Sequence, residues 1–167
     1  MTNVVLLYYR NMELKDMKVI DIDPFLQSSA FVFEQFQITC KNENKEYESN
    51  SDADVLTMIG LTGDIRGQVL IRFPVQTGMK IASAMMGGIE VSHLDQMVQS
   101  ALLELTNMIC GNALTIYTQR GFALNITPPT LLVGKSIEVS GAEVNTLSAI
   151  LTIDHTETAE ISVMFEK

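Results

Sequence analysis

Residues 100–115 read SALLELTNMICGNALT, an apolar run that is interrupted by the carboxylate of Glu104 and, three positions later, by the amide of Asn107. The periodicity continues on both sides, so we expect a long helix over residues 92–118 that ends before Gly121. At about 100° per residue, the larger apolar side chains gather within roughly a third of the circumference, which is typical of a helix packed on a core. These side chains are Leu94, Val98, Leu102, Leu105, Ile109 and Ile116.

The opposite side of this helix carries a polar stripe. Its members are His93, Gln96, Ser100, Glu104, Asn107 and Gly111. From Ser100 to Gly111 the spacing is i, i+4, i+7 and i+11, so these positions form one line along the helix. Met97 and Met108 border the line. A solvated helix face is the ordinary explanation of such a stripe.

Three details favour a binding surface instead. Asn is a mediocre helix former, and no basic residue stands four positions after Glu104 to pair with it. The bordering methionines are flexible side chains of the kind found at adaptable binding surfaces. Glu104 and Asn107 are therefore candidate functional residues, and Met97, Met108 and Gly111 are candidate partner contacts.

The flanking sequence predicts the other elements. Asp followed by Pro at 23–24 is typical of a helix start. That helix extends to about residue 37, with an apolar face made of Phe25, Phe31, Val32 and Phe36. Residues 75–86 predict a shorter helix that Gly87 and Gly88 end. Strands are expected at 38–49, at 55–61 and 68–73 as a hairpin, and at 146–153 and 160–165 around a turn at 155–158.

This order of elements predicts one α+β domain, in which an antiparallel sheet is packed by long helices on one face. The β-α-β rhythm of a parallel sheet is missing. The order of helix, strands, helices and strands also forms a pseudo-repeat of elements. The sequence itself shows no clear repeat. We assign residues 17–167 to this single domain and residues 1–16 to a leader of uncertain order.

The composition narrows the classes of function. The chain has 167 residues and a formal net charge of -9 without any cluster of Lys or Arg, which disfavours nucleic acid and anionic membranes as partners. Its longest apolar runs, such as residues 4–9, fall far short of the ~20 residues that a membrane span requires. Cys40, Cys110, His93 and His155 form no disulfide framework or metal motif. A cytoplasmic protein with free thiols and no metal is expected.

The combination Ser100-x3-Glu104-x2-Asn107, with Pro129 twenty-two positions later, resembles the signature of the CheC/CheX family of chemotaxis phosphatases. The segment ELTNMICGNALT is similar to that family's helix, and GLTGDIRGQVLIRFP and IASAMMGG resemble the hairpin and short helix that precede it. The similarity covers residues 18–167, so it implies a CheC/CheX-like fold for nearly the whole chain.

Members of the CheC type carry the motif twice, once in each half of the chain. At the equivalent place on the first helix, Glu34 is present, but Gln37 stands instead of Asn and Ala30 instead of Asp or Ser. The resemblance is therefore to the CheX type, with one site per chain.

The resemblance implies a phosphatase that removes the aspartyl phosphate of phospho-CheY or a related response-regulator receiver in bacterial chemotaxis. It assigns Asn107 to orienting the attacking water and Glu104 to pairing with the receiver's lysine. Ser100 would support the edge of the contact, and Pro129 would shape the neighbouring loop. The protein would need no cofactor of its own, because any Mg²⁺ belongs to the receiver, and it would form a homodimer.

An alternative stays open at this point. The chain could be a non-catalytic dimeric module that binds a receiver or a flagellar-switch component through the same stripe. The intact pair of Glu104 and Asn107 favours the enzyme, since a module that only binds has no reason to keep both side chains.

Overall fold

The computed structural model describes residues 20–47 and 53–167, so the leader at residues 1–16 lies outside the described part. Within that part, the helices are α1 (Asp23–Gln35), α2 (Val75–Met85) and α3 (Gln96–Gln119). The strands are β1 (Cys40–Glu43), β2 (Asp54–Gly63), β3 (Gly67–Pro74), β4 (Leu124–Ile126), β5 (Thr130–Gly134), β6 (Val144–Ile153) and β7 (Glu157–Glu166). The predicted α+β class is confirmed. None of these helices combines the length and apolar character that crossing a bilayer requires.

The strands form one antiparallel sheet in the order β1-β6-β7-β3-β2-β4, and β5 also pairs with β2. β4 pairs with residues 61–63 of β2 and β5 with residues 54–58, so both short strands lie along the same edge. The break between them contains Pro128 and Pro129, which have no N–H to donate to a strand ladder. At the opposite edge, β1 pairs with residues 150–153 of β6.

The two predicted hairpins are present, and one turn is tighter than expected. β2 and β3 pair along their length, as the glycine-containing connection predicts. Between β6 and β7, Asp154 and His155 adopt left-handed backbone with φ of 46° and 69°. The connection is therefore residues 154–156, and the expected turn at residues 155–158 was placed too late because Glu157 already pairs with Ile153.

One face of the sheet holds the core, and the helices cover it. Val55, Val69 and Phe73 point to this face and have 0% exposure, and they belong to one apolar cluster with the buried residues of the helices. Inside it, the hydroxyl groups of Thr57 and Thr106 lie 2.6 Å apart and join β2 to α3. The predicted arrangement of a sheet packed by helices is confirmed.

The core-facing side of α1 differs from the prediction. Phe31, which we expected to face the core, is 55% exposed, and Phe33 is buried instead. The helix turns Ser28 and Ser29 inward, both at 0% exposure, and Ser28 Oγ accepts a hydrogen bond of 3.1 Å from Asn112 of α3. Small hydroxyl residues at a helix contact give no apolar signal. The apolar pattern therefore predicted the wrong side of α1 as the centre of its buried face.

Gly78 in α2 and Gly111 in α3 offer a matched test of this packing. A Cβ added at Gly78 would lie 2.8 Å from Cε2 of Phe73 and 3.2 Å from Cδ1 of Leu102, whereas one at Gly111 would enter open space. We expect Gly78→Ala to lower the free energy of unfolding by about 1–2 kcal/mol through overpacking. Gly111→Ala should raise it by roughly 0.5–1 kcal/mol, because alanine is the better helix former. Urea denaturation measures both, and a stabilising Gly78→Ala would contradict the tight contact of α2 with α3.

Candidate functional site

Helix α3 carries the polar stripe, and a local capping contact fixes where the helix begins. The carboxylate of Asp95 accepts a hydrogen bond of 2.9 Å from the backbone N–H of Val98, and the backbone of Asp95 is extended. The helix therefore begins at Gln96 rather than at residue 92. His93 lies before the helix, so its assignment to the polar stripe was wrong.

The middle of the polar stripe is exposed and unpaired. Ser100, Glu104 and Asn107 are exposed, and Gly111 is half-buried. Within residues 20–47 and 53–167, the side chains of Glu104 and Asn107 make no hydrogen bond or ion pair. The ion pairs of that part of the chain are Lys45–Glu43, Lys80–Glu157 and Arg120–Asp21. The carboxylate and the amide are thus available to groups of another molecule.

The opposite side of α3 is deeply buried, which confirms the predicted core face from Val98 to Ile109. Leu94 lies before the helix, and Ile116 is half-buried. Leu102, Leu105 and Ile109 each have 0% exposure and pack in the apolar cluster. Because these residues hold the helix on the sheet, the core sets the outward direction of Glu104 and Asn107. The pair needs no contacts of its own to keep that direction.

The two central asparagines of α3 differ in their surroundings. Asn112 is half-buried, and its Nδ2 donates to Ser28 Oγ at 3.1 Å, so it ties α3 to α1. Asn107 is exposed and has no such partner among the described residues. The sequence did not identify the structural role of Asn112, because a partner on another helix leaves no local pattern.

Two of the candidate partner contacts, Met97 and Met108, border the polar stripe, and the third, Gly111, belongs to it. Met97 is 64% exposed, whereas Met108 is half-buried and packs on one side against the core. Gly111 leaves open space where a side chain would stand. The polar stripe therefore has a flexible apolar side chain near its N-terminal end and a position without a side chain, Gly111, near its C-terminal end.

Pro129 lies on a different element, in the connection between β4 and β5, and is half-buried. The neighbouring Thr127 tethers this connection to β2 in two ways. Its hydroxyl accepts from the N–H of Gly60 at 2.8 Å, and its own N–H donates to the carbonyl of Gly60 at 3.0 Å. A Cβ at Gly60 would lie 2.8 Å from that hydroxyl oxygen, so the tether requires glycine. Pro129 thus belongs to a fixed loop and not to the helix face.

The first helix offers no second copy of the acid–amide pair. Glu34 is exposed on α1, but the helix ends at Gln35. Gln37 has left-handed backbone with φ of 60°, so it cannot share a helix face with Glu34. The geometry agrees with one motif per chain.

Among the described residues, the polar stripe is an exposed helix face. A cavity of about 630 Å³ is lined in part by Arg66, Val139 and Met164, and it includes no residue of the polar stripe. Small-molecule sites are usually concave. A protruding carboxylate and amide suit insertion into a cleft of another protein.

The cysteines are poor nucleophiles in this fold. Burial raises the pKa of the Cys40 thiol to about 12, and it raises the pKa of the fully buried Cys110 as well. Neither is therefore a thiolate near neutral pH, the form in which cysteine attacks phosphorus or carbonyl groups. In the described ranges, no three His, Cys, Asp or Glu side chains gather as metal ligands do.

Comparison with known sequences gives one family and one clear relative. A family model described as Chemotaxis phosphatase CheX matches residues 55–154. Over 85 residues, the chain is 39% identical to a protein of Thermotoga maritima named CheY-P phosphatase CheX. The alignment covers 51% of this chain and 55% of that protein, so the chain spans about half the length of the curated relative that it matches.

Solved structures share the fold over most of the chain. The described residues resemble a chain of the CheX-CheY-BeF3-Mg+2 complex from Borrelia burgdorferi with a TM-score of 0.72 and 25% identity, covering 89% of this chain and 100% of that one. They also resemble the chemotaxis protein CheX of Vibrio vulnificus with a TM-score of 0.77 and 24% identity, covering 90% and 99%. The second likeness bears on the fold alone.

Proposed function

The chain belongs to the CheX family of chemotaxis phosphatases, and we propose that it hydrolyses the aspartyl phosphate of phospho-CheY or a related receiver domain. The observation that carries the proposal is the exposed pair Glu104 and Asn107, unpartnered among the described residues, on a helix whose other side is buried. The name of the Thermotoga relative, a CheY-P phosphatase, and the description of the Borrelia structure, a complex with CheY, support it.

An amide suits this reaction because an acyl phosphate is already activated. Hydrolysis joins a water oxygen to phosphorus and breaks the bond from phosphorus to the aspartate oxygen, which leaves a carboxylate and inorganic phosphate. The transition state is loose, so positioning of the water is the main requirement. The Asn107 carbonyl oxygen accepts from that water, while its NH₂ group donates to a neighbouring oxygen. A carboxylate at this position would repel the phosphoryl group.

Glu104 acts as the partner of the receiver's active-site lysine. It precedes Asn107 by three positions on α3, so the two Cβ atoms are about 5–6 Å apart. Two groups at that separation can enter one active site side by side. The ion pair holds Asn107 in register, and positioning of this kind contributes a large part of many catalytic effects.

Ser100 and Pro129 have supporting roles in this proposal. Ser100 lies one turn before Glu104 and bounds the contact with the receiver at that end of the polar stripe. Pro129 shapes the loop that Thr127 tethers to β2. Any Mg²⁺ belongs to the receiver, so the protein itself contributes side chains and no cofactor.

Decay of phosphorylated CheY from the same source tests the proposal. We expect the wild-type protein to accelerate decay and Asn107→Ala to lose about 100-fold or more of that effect, judging from the cost of misplacing a reacting group. Binding of CheY should persist in Asn107→Ala, whereas Glu104→Gln should weaken it by removing the charge that pairs with lysine. Asn42→Ala, which truncates an exposed asparagine on β1, is the matched control and should leave the decay unchanged.

Two outcomes would contradict this account in different ways. Unchanged decay with the wild-type protein would overturn the enzymatic proposal for that receiver, and binding without hydrolysis would then favour the non-catalytic module. Full activity of Asn107→Ala would leave a phosphatase standing but remove Asn107 from the chemistry.

We also propose a homodimer that pairs through the free edge of β6. β1 pairs with residues 150–153 of β6, and among the described residues no strand continues that pairing along residues 144–149. An open strand edge is a template for pairing with another chain. Sedimentation equilibrium should give twice the 18.5 kDa of one chain. A single-chain mass at micromolar concentration would contradict the dimer.

A further inference from the structure

Phe31 is an exposed aromatic side chain that the proposed chemistry does not use. The exposed large apolar side chains of the described chain are Phe31, Ile89, Met97, Leu132 and Val133. A single exposed apolar side chain is ordinary on a soluble surface, so its position decides whether it has a role. Phe31 is 55% exposed on α1, the helix that packs beside α3.

Three contacts set the register of α1 against α3, and one of them joins residues that flank the two helices. They are Arg120 Nη1 to Asp21 Oδ2 at 2.8 Å, the rings of Tyr117 and Phe25 with centroids 5.6 Å apart, and Asn112 Nδ2 to Ser28 Oγ at 3.1 Å. Residue numbers rise along α1 as they fall along α3, so the two helices are antiparallel. Phe31 comes one turn after Ser28, and Met108 comes one turn before Asn112. Phe31 and Met108 are therefore at the same level of the helix pair.

Helical spacing also directs the two side chains toward the groove between the helices. Phe31 follows Ser28 by three positions, so it lies on the flank of α1 that contacts α3. Met108 precedes Asn112 by four positions and lies on the flank of α3 that contacts α1. Met108 is half-buried against the core, and Phe31 stands outside it in solvent. By this spacing, the two side chains form an apolar border on the α1 side of Asn107.

Gly111 leaves a gap in the surface of α3 one turn away from Asn107. It stands one turn after Asn107 on α3, and a Cβ there would meet open space. Glycine in a helix interior is less favourable than alanine by about 0.8–1 kcal/mol, and packing among the described residues gives no reason for it. The missing side chain leaves room for another molecule to approach the helix backbone.

We infer that Phe31, Met108 and Gly111 form an apolar shelf that binds the receiver beside its phosphorylated aspartate, an inference that rests on the proposed function. If Asn107 reaches the phosphoryl group, the receiver loops around that group cover the residues within one turn of Asn107. On the side of α1 those residues are the apolar shelf. An apolar side chain of a receiver loop packs on Phe31 and Met108 above Gly111, so the shelf supplies affinity and the polar stripe supplies chemistry.

Steady-state hydrolysis of phospho-CheY separates the two contributions. We expect Phe31→Ala to raise KM about 10-fold with little change in kcat, because buried aromatic anchors dominate the energy of interfaces. Phe31→Leu, which keeps apolar bulk, should restore most of the affinity. Gly111→Leu fills open space at a half-buried helix position, so it should fold and raise KM in the same way. Val133→Ala, which truncates a side chain 50% exposed on β5, is the matched control and should keep the wild-type KM.

The outcomes distinguish the apolar shelf from the proposed function. If the wild-type protein hydrolyses phospho-CheY and both Phe31→Ala and Gly111→Leu keep its KM, the shelf is overturned and the phosphatase stands. If the wild-type protein does not hydrolyse it, calorimetric titration with CheY carrying beryllofluoride and Mg²⁺ decides. Binding that Phe31→Ala weakens about 10-fold supports the shelf without an enzyme. If the wild-type protein and Phe31→Ala bind CheY equally well, or if neither binds it, the apolar shelf is overturned.

Discussion

Burial of one side of α3 against the sheet is the constraint on which the rest of the molecule depends. Leu102, Leu105 and Ile109 have no exposed surface, and burial of each such side chain stabilises the fold by about 1.5–3 kcal/mol. This burial fixes the rotation of the helix about its axis, so the residues on the far side face solvent. Glu104 and Asn107 are thereby aimed outward by a core that they do not touch.

The same constraint lets α3 carry residues that do not favour a helix. Asn107 and Gly111 both have lower helix propensity than alanine, by up to about 0.7 and 1 kcal/mol respectively. Among the described residues, neither gains a contact that offsets this loss. The buried face and the Asp95 cap hold the helix together in spite of it. A surface shaped by folding alone would carry better helix formers, so these departures indicate a face whose partner lies in another molecule.

What could be predicted from the sequence is what local periodicity and turn chemistry determine. The apolar face of α3, the hairpin of β2 and β3 and the glycine stop at Gly87, which has φ of 76°, all follow from residues close in sequence. The start of α3 had a local signal in Asp95 that the apolar pattern obscured. The exposure of Phe31 had none, because it follows from Ser28 packing against a residue far along the chain. The spacing and the family resemblance singled out Glu104 and Asn107. The surface around them could not be predicted in this way, because it depends on how α1 packs beside α3.

The central claim is that α3 presents Glu104 and Asn107 to the active site of a receiver. The most direct test is the ¹⁵N–¹H spectrum of the labelled protein during titration with CheY carrying beryllofluoride and Mg²⁺. The account predicts that the side-chain amide of Asn107 and the backbone amide of Gly111 shift or broaden, while the side-chain amide of Asn42 on β1 stays unchanged. Binding that perturbs Asn42 and leaves Asn107 unaltered would contradict it.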